Sequence, residues 1–231
     1  MKYASKNLEN FLLQRIKREK ADGLIRKGTF TDEIVWGLNS YMFSNLDKKK
    51  QKIFRKGMFL FGMVRRDAKL YVESTKIKLP KKHNQIEYNQ TTDPNKLDKI
   101  TGTDINHAYW RIAYNLGIIS EKTYIKGLPD EFKSVRLSAL STMGAPKKYQ
   151  IIKKGVVTNK FLEVKGDPLL QEAYILIRYT CFKYMNKVKR MLGKDFLCYK
   201  TDCIYYVDSK DNRKKVNEFF EKNELMVKQL V

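Results

Sequence analysis

Two aspartates lie far apart in the chain, each in a setting that suits metal binding. Asp104 ends an alternating apolar–polar run just before a helix-like segment, and Asp202 lies alone inside the apolar run 198–206. Carboxylates on neighbouring strands can hold two metal ions about 4 Å apart for phosphoryl transfer. Mg²⁺ or Mn²⁺ needs few protein ligands there, because waters and substrate oxygens complete the coordination. With the backbone carbonyl of Ile105 as a further candidate ligand, the predicted metal site consists of Asp104, Ile105 and Asp202.

The segments around these aspartates predict a mixture of strands and helices. A strand over residues 97–105 would place Asp104 at its end. The patterns that follow predict, in order, helices over 108–116 and 131–143, a hairpin over 149–164, a helix over 168–192, a β-rich segment over 196–207 and a helix over 211–225. Residues 96–231 are therefore expected to form an α+β domain, in which helices pack on a small antiparallel sheet.

The N-terminal part of the chain, residues 1–95, is expected to be a basic and mostly helical region followed by a polar linker over 79–95. Helices are predicted over 7–20 and from residue 31 onward, where Thr-Asp-Glu is typical of a helix start. A strand is expected over 68–74. Four lysines in this region are candidate phosphate contacts: Lys48, Lys49, Lys50 and Lys52.

The composition favours a polyanionic partner. The 231 residues include 47 Lys and Arg against 25 Asp and Glu, which gives a formal net charge of +22. An excess of this size favours nucleic acid over an anionic membrane surface. The three cysteines have no paired spacing and suit a reducing compartment. The charged N-terminus shows no signal peptide, and no apolar run is long enough to span a bilayer, so a cytoplasmic protein without a membrane partner is expected.

Three short motifs resemble, in the same order, those of family-B DNA polymerases. The first is similar at the metal-binding Asp and at the Tyr beneath the incoming sugar, in Asp104-Ile105-Asn106-His107-Ala108-Tyr109. The second is similar at its Ser and Gly, in Arg136-Leu137-Ser138-Ala139-Leu140-Ser141-Thr142-Met143-Gly144. The third, Tyr-x-Asp-Thr-Asp-Ser in the family, is similar at Thr and the second Asp, in Cys198-Tyr199-Lys200-Thr201-Asp202-Cys203. The other motif positions depart from the family at Ala108, Trp110, Arg136, Leu140, Met143, Cys198, Lys200 and Cys203.

The resemblance, over residues 96–207, implies a polymerase-like palm with fingers-like helices. Such a domain would transfer nucleotides from dNTPs to DNA with two Mg²⁺ (or Mn²⁺) ions. Asp104 and Asp202 would be the catalytic metal ligands. Tyr109 would lie under the sugar of the nucleotide and crowd the 2′-hydroxyl of a ribonucleotide. His107, beside the site, is expected only to pack or to point to solvent.

The resemblance also implies which cations bind the nucleotide. Arg136 stands where the family has a phosphate-binding Lys, and its planar guanidinium suits phosphate oxygens. With Lys133, it is expected on the outer face of the helix over 131–143. Lys200 stands where the family has another Asp. It would repel Mg²⁺ if it pointed inward, whereas turned outward it would contact primer phosphate.

Other functional classes stay open. A non-catalytic nucleic-acid-binding protein that retains the palm is favoured by Lys200 and by the lack of an obvious thumb. A primase or a nuclease could use the same carboxylate pair. A basic structural protein with chance motif matches would instead place Asp104 and Asp202 far apart. The short chain has no room for a proofreading domain, which favours a viral or mobile-element origin, a location in host cytoplasm or virion, and replication or virion subunits as candidate partners.

Overall fold

The computed structural model describes residues 3–4, 6–28, 31–89 and 99–230. Its strands are β1 (Tyr3–Ala4), β2 (Gly23–Arg26), β3 (Thr31–Trp36), β4 (Asn39–Ser44), β5 (Ile86–Tyr88), β6 (Ile100–Ile105), β7 (Lys147–Lys153), β8 (Val156–Val164), β9 (Phe196–Lys200), β10 (Cys203–Val207) and β11 (Val227–Leu230). Its α-helices are α1 (Lys6–Arg18), α2 (Lys48–Gly57), α3 (Phe59–Ser74), α4 (Ala108–Asn115), α5 (Glu121–Gly127), α6 (Lys133–Ser141), α7 (Pro168–Leu192) and α8 (Lys210–Lys222). Short 3₁₀ turns cover Asp130–Phe132 and Gly193–Asp195.

The chain divides into two compact units, each with its own sheet. The first unit comprises Met1–Phe59 and Gly144–Pro168, and the second comprises Leu60–Met143 and Leu169–Val231. The α+β class predicted from the sequence is confirmed, with sheets that are antiparallel apart from the β1–β4 pair.

The first unit is a six-stranded sheet in the order β1-β4-β3-β2-β7-β8. Helix α1 packs its apolar face on this sheet, and the shared core consists of Leu12, Ile16, Ile25, Ile34, Phe43 and Ile152. The predicted hairpin is confirmed as β7 and β8, joined by Lys154 and Gly155. Both of these residues have positive φ, of 49° and 78°, the backbone that two-residue hairpin turns favour.

The prediction of a mostly helical region over residues 1–95 is wrong for the segment 23–44, which forms strands β2, β3 and β4. Asp32 and Glu33 were expected to begin a helix, but both are buried acceptors within β3. Asp32 accepts hydrogen bonds from the Lys27 side chain (2.8 Å) and from the Gly28 N–H (3.1 Å). Because these carboxylates have hydrogen-bond partners in the folded unit, they can be buried in a strand and need not lie at a helix terminus.

The second unit is a five-stranded antiparallel sheet in the order β11-β6-β10-β9-β5. Strand β6 therefore lies between β11 and β10, and the strands that carry the first and third motifs, β6, β10 and β9, are neighbours in the sheet. The predicted strand over 97–105, the helix over 168–192 and the last helix are confirmed as β6, α7 and α8, with residues 97 and 98 outside the described part of the chain. Strand β11 was not predicted from the sequence.

Helix α3 is continuous through residues 68–74, so the strand expected there is wrong. Leu60, Val64 and Ala68 are fully buried at a spacing of four residues, which is the helical period. Asp67 in the same helix accepts hydrogen bonds from the N–H (3.0 Å) and hydroxyl (2.6 Å) of Ser120 and from the hydroxyl of Thr123. These bonds fix the start of α5 to α3.

The expected boundary between residues 1–95 and 96–231 does not coincide with the division of the chain. Part of the expected linker forms β5, which pairs with β9 and completes the sheet of the second unit. Residues 90–95 of that linker lie outside the described residues. The first unit, in turn, includes Gly144–Pro168 from much later in the sequence. A contiguous boundary cannot describe a unit that is completed by a later hairpin.

Candidate active site

The second sheet brings Asp104 and Asp202 to the same end of two neighbouring strands. Strand β10 pairs with β6 so that Cys203 lies opposite Asp104. The N–H of Ile105 donates a 3.0 Å hydrogen bond to the carbonyl of Asp202. Residues that are 98 positions apart therefore lie side by side, and the alternative in which the two aspartates lie far apart is wrong.

Asp202 is presented by the tight turn between β9 and β10. Thr201, beside it, has a φ of 61°, an uncommon conformation for a β-branched residue. The Thr201 N–H donates to the carbonyl of Gln85 (2.8 Å), and the Gln85 amide donates to the Thr201 hydroxyl (3.3 Å). The thiol of Cys181 on α7 is 3.7 Å from the Thr201 carbonyl and donates to it. Contacts from two other segments thus hold the strained turn in place, as is found at many functional sites.

Both carboxylates are half-buried, and no Lys or Arg of the described residues is within ion-pair distance of either. Burial raises the pKa of Asp104 and of Asp202 above the ordinary aspartate value, and the charge of Asp104 raises the pKa of Asp202 further. The charge of Lys133 lowers both pKa values, and that of Lys228, directly opposite Asp104 on β11, lowers the pKa of Asp104. Within the described residues, neither carboxylate forms an ion pair. Two such carboxylates repel each other unless a proton or a cation lies between them.

The donor set fits a hard divalent cation that relies on its substrate for further ligands. Two carboxylates supply oxygens, and neither has an ion-pair partner among the described residues, so a bound cation would relieve the repulsion between them. In the described part of the chain, no three His, Cys, Asp or Glu side chains are grouped to hold a metal by themselves. Ile105 ends β6 beside Asp104, with its N–H bonded to Asp202. Its carbonyl as a metal ligand stays a prediction.

Tyr109, in the first turn of α4, belongs to the same site. Its ring is half-buried. Burial is the main cause that raises the pKa of its hydroxyl, and Cys181 raises this pKa further. The charges of Asp202 and Arg178 act on that hydroxyl in opposite directions. Since the charge of Asp202 acts on its hydroxyl, Tyr109 lies near this carboxylate, and its role beneath a nucleotide sugar stays a prediction.

Arg178 on α7 is a site residue that the sequence reasoning missed. Its guanidinium lies 5.6 Å from the ring centre of Phe182 and donates to the Gln85 side chain (3.3 Å). The same Gln85 holds the Thr201 turn, so Arg178 adjoins the loop that carries Asp202. A signal was present in the sequence, because Arg178 lies between Tyr174 and Phe182 at four-residue spacing, a lone cation in an aromatic row on one helix face.

Arg136 is not on the outer face of α6, so that expectation is wrong. It is 1% exposed, and its Nη1 donates to the carbonyls of Gly127 (2.8 Å), Leu128 (3.2 Å) and Pro129 (3.3 Å). Its Nη2 lies 2.5 Å from Nδ1 of His107. The guanidinium is therefore committed to the carbonyls at the end of α5, which would otherwise lack donors.

His107 contacts the guanidinium of Arg136, whereas it was expected only to pack or to point to solvent. It precedes α4 with a φ of 55°. Burial lowers the pKa of its imidazole, and the nearby charge of Arg136 lowers it further. A neutral imidazole can accept a hydrogen bond from Arg136, so His107 links the segment after Asp104 to the buried arginine.

The two lysines predicted to bind the nucleotide, Lys133 and Lys200, lie on different elements, a helix and a strand. Lys133 is exposed at the first position of α6, and its charge acts on both Asp104 and Asp202. Lys200 is exposed at the end of β9 and lies opposite Cys203, which itself lies opposite Asp104. Directly opposed residues share a sheet face, so Lys200 is two strands from Asp104 on the same face.

No protein-family model, curated protein or solved structure matches this chain. The resemblance to family-B polymerases therefore rests on the motif residues themselves, and function has to be argued from the geometry of the site. None of the described helices combines the length and apolar character that crossing a membrane requires.

Proposed function

We propose that the protein is a template-directed nucleotidyltransferase, similar to a DNA polymerase, that acts on DNA with Mg²⁺ or Mn²⁺. The observation that carries the proposal is the pair Asp104 and Asp202, which adjoin at one end of the sheet without an ion-pair partner among the described residues. In this proposal the five-stranded sheet is a polymerase-like palm, and α4, α5 and α6 are its fingers-like helices.

The carboxylates of Asp104 and Asp202 would hold the metal ions. When bound, such ions activate the attacking 3′-hydroxyl and neutralise charge on the transferred phosphate. The chain itself contributes a fixed geometry, because the contacts of Thr201 to Gln85 and Cys181 hold the Asp202 turn before substrate arrives. Preorganised groups of this kind do not need to be reoriented during the reaction.

Two cationic side chains are available to bind the phosphates of the incoming nucleotide. Lys133 is exposed and acts on both carboxylates, as expected for a side chain that reaches a nucleotide held between them. Arg178 takes the role first assigned to Arg136, because its guanidinium adjoins the Asp202 turn and has no carboxylate partner among the described residues. Arg136 then supports the site from within, and Lys200 contacts the primer backbone.

Tyr109 would lie beneath the sugar of the incoming nucleotide. The ring is half-buried, and burial, Cys181 and Asp202 all raise the pKa of its hydroxyl, which favours the protonated form. A ring held in this way leaves little space for the 2′-hydroxyl of a ribonucleotide, so dNTPs are the expected substrates. The net charge of +22 supports DNA as the partner, through contacts to its phosphates.

A non-catalytic DNA-binding protein is the second candidate. Two observations favour it: Lys200 replaces an acidic residue of the resembled motif, and the described residues hold no third metal-binding side chain at the pair. A primase or a nuclease could use the same two carboxylates.

A product assay separates these candidates. The protein is incubated with primer–template DNA, dNTPs and Mg²⁺ or Mn²⁺, and primer length is measured on a denaturing gel. Extension directed by the template is expected. Normal DNA binding without any extension would contradict the proposal and favour the non-catalytic protein. New chains made from NTPs without primer would indicate a primase, and shortened DNA without nucleotides would indicate a nuclease.

A further inference from the structure

The β7–β8 hairpin of the first unit presents an unusual surface. Strand β8 is the last strand in the described sheet, and eight of its nine residues are exposed, with Thr158 intermediate. Edge strands of soluble proteins are commonly short or protected, because an exposed edge invites pairing with another chain. A nine-residue edge strand that is open to solvent therefore needs an explanation.

The exposed side chains of β8 are largely apolar. Five large apolar residues of this strand are between 43% and 64% exposed: Val156, Val157, Phe161, Leu162 and Val164. Isolated exposed apolar residues are common, whereas several on one short strand are typical of an interaction surface.

The hairpin is also strongly basic. Six lysines and a single acidic residue, Glu163, lie between residues 147 and 165, which gives a formal charge of +5 from Lys147, Lys148, Lys153, Lys154, Lys160 and Lys165. The Nζ of Lys148 lies 4.4 Å from the ring centre of Phe161. A cation and an aromatic ring are thus adjacent on one face, which suits a ligand that carries both phosphates and flat bases.

The surface is held in shape before any ligand binds. The Lys154 N–H donates to the side chain of Asp22 (2.7 Å), and the Gly155 N–H donates to the carbonyl of Ala21 (2.8 Å). The Thr158 hydroxyl donates across the hairpin to the carbonyl of Ile151 (2.8 Å). These bonds fix the turn and the strand register, so the apolar side chains remain exposed on a rigid support.

We infer that the β7–β8 hairpin binds single-stranded nucleic acid. Exposed apolar side chains contact unpaired bases, and the surrounding lysines contact the phosphates. A duplex hides the faces of its bases and would leave the apolar residues unused. A second copy of the chain is disfavoured because the pairing would bring two hairpins of charge +5 together. This inference does not depend on Asp104 or Asp202, which belong to the other unit.

Equilibrium binding of a fluorescent oligonucleotide without metal or dNTP tests the inference separately from catalysis. Phe161→Ala is expected to weaken binding of a single strand about tenfold through lost base contact. Leu38→Ala is the matched control, since Leu38 is fully exposed at the β3–β4 turn of the same unit. Thermal melting of both variants should match that of the wild-type protein, because neither side chain is buried.

The lysines are tested through the salt dependence of the same binding. Replacing Lys153 and Lys160 together by Gln should lower the slope of log affinity against log salt by about 1.4, if both contact phosphates of a single strand. The control replaces Lys210 and Lys215, which are exposed on α8, by Gln and should leave the slope unchanged.

Three results would overturn the inference. One is equal affinity of Phe161→Ala and the wild-type protein for single strands. Another is tighter binding of duplex than of single strands, together with an equal loss of duplex affinity in the Lys153/Lys160 variant and in the Lys210/Lys215 control. The third is a dimer in sedimentation that Phe161→Ala dissociates, which would assign the strand to self-association.

Discussion

At the scale of single residues, the candidate site is defined by two half-buried carboxylates, Asp104 and Asp202, that form no ion pair among the described residues. Asp104 and Asp202 were predictable from the sequence, because each stood alone in an apolar context and matched an ordered motif. Arg178 was not predicted, since no motif position pointed to it. Arg136 was misjudged because helical spacing alone cannot show that the end of α5 packs over its side chain.

We predict that Asp202→Asn stabilises the metal-free protein at neutral pH by about 1 kcal/mol, because burial disfavours the ionised carboxylate that the substitution removes. The pKa of Asp202 is raised in the folded state. The folded state therefore holds its proton more tightly than the unfolded state, and stability falls as pH rises from the ordinary aspartate pKa through the raised one. Asn cannot ionise, so the gain should disappear in acid, below the ordinary aspartate pKa. Thermal melting as a function of pH measures this.

The control for that prediction is Asp208→Asn. Asp208 accepts hydrogen bonds from Arg213, and these lower its pKa, so this variant should gain no stability at neutral pH. Added Mg²⁺ should raise the melting temperature of the wild-type protein and leave Asp202→Asn little changed. Loss of stability in Asp202→Asn at neutral pH would contradict an uncompensated charge at this position.

At the scale of elements, the motif-bearing segments were the most predictable. Strand β6 and the β-rich segment over 196–207, which forms β9 and β10, followed from their apolar patterns, and helix α7 followed from its Pro at the start and Gly after its end. The strands at 31–44 did not, because two acidic residues there are typical of a helix start and only the folded unit brings their hydrogen-bond partners to them. Strand β11 was missed because four residues carry too little periodicity.

Arg136 supports α5, and its replacement should therefore affect stability before it affects substrate binding. Arg136→Met retains an unbranched apolar side chain but leaves buried carbonyls without donors, so we expect a loss of about 2–3 kcal/mol in the free energy of unfolding. Denaturant unfolding measures the free energy, and the apparent KM for dNTP is measured at a temperature where the variant is folded.

Lys133→Met is the paired variant, because Lys133 is exposed and acts on the carboxylates. It should leave the unfolding free energy unchanged and weaken nucleotide binding. An Arg136→Met protein of wild-type stability with a greatly raised KM would restore the phosphate-binding role first expected for Arg136.

At the scale of the whole molecule, the chain separates a carboxylate site in one unit from a basic hairpin in the other. The charge of +22 indicated a polyanionic partner from composition alone. The division into units could not be predicted, because Gly144–Pro168 belongs to the first unit although the preceding segment, Leu60–Met143, belongs to the second. Pairing across such a sequence separation leaves no local signal.

The central claim is that Asp104 and Asp202 act as one metal-dependent site for nucleotidyl transfer. Its most direct test is the rate of single-nucleotide incorporation in Mg²⁺ for the wild-type protein, Asp104→Asn, Asp202→Asn and the double variant, with Asp208→Asn as control. Each single variant should lose on the order of a thousandfold or more, and the double variant should be no slower than the worse single variant, because groups that act as a unit are not additive. Incorporation that survives in both single variants would contradict the claim.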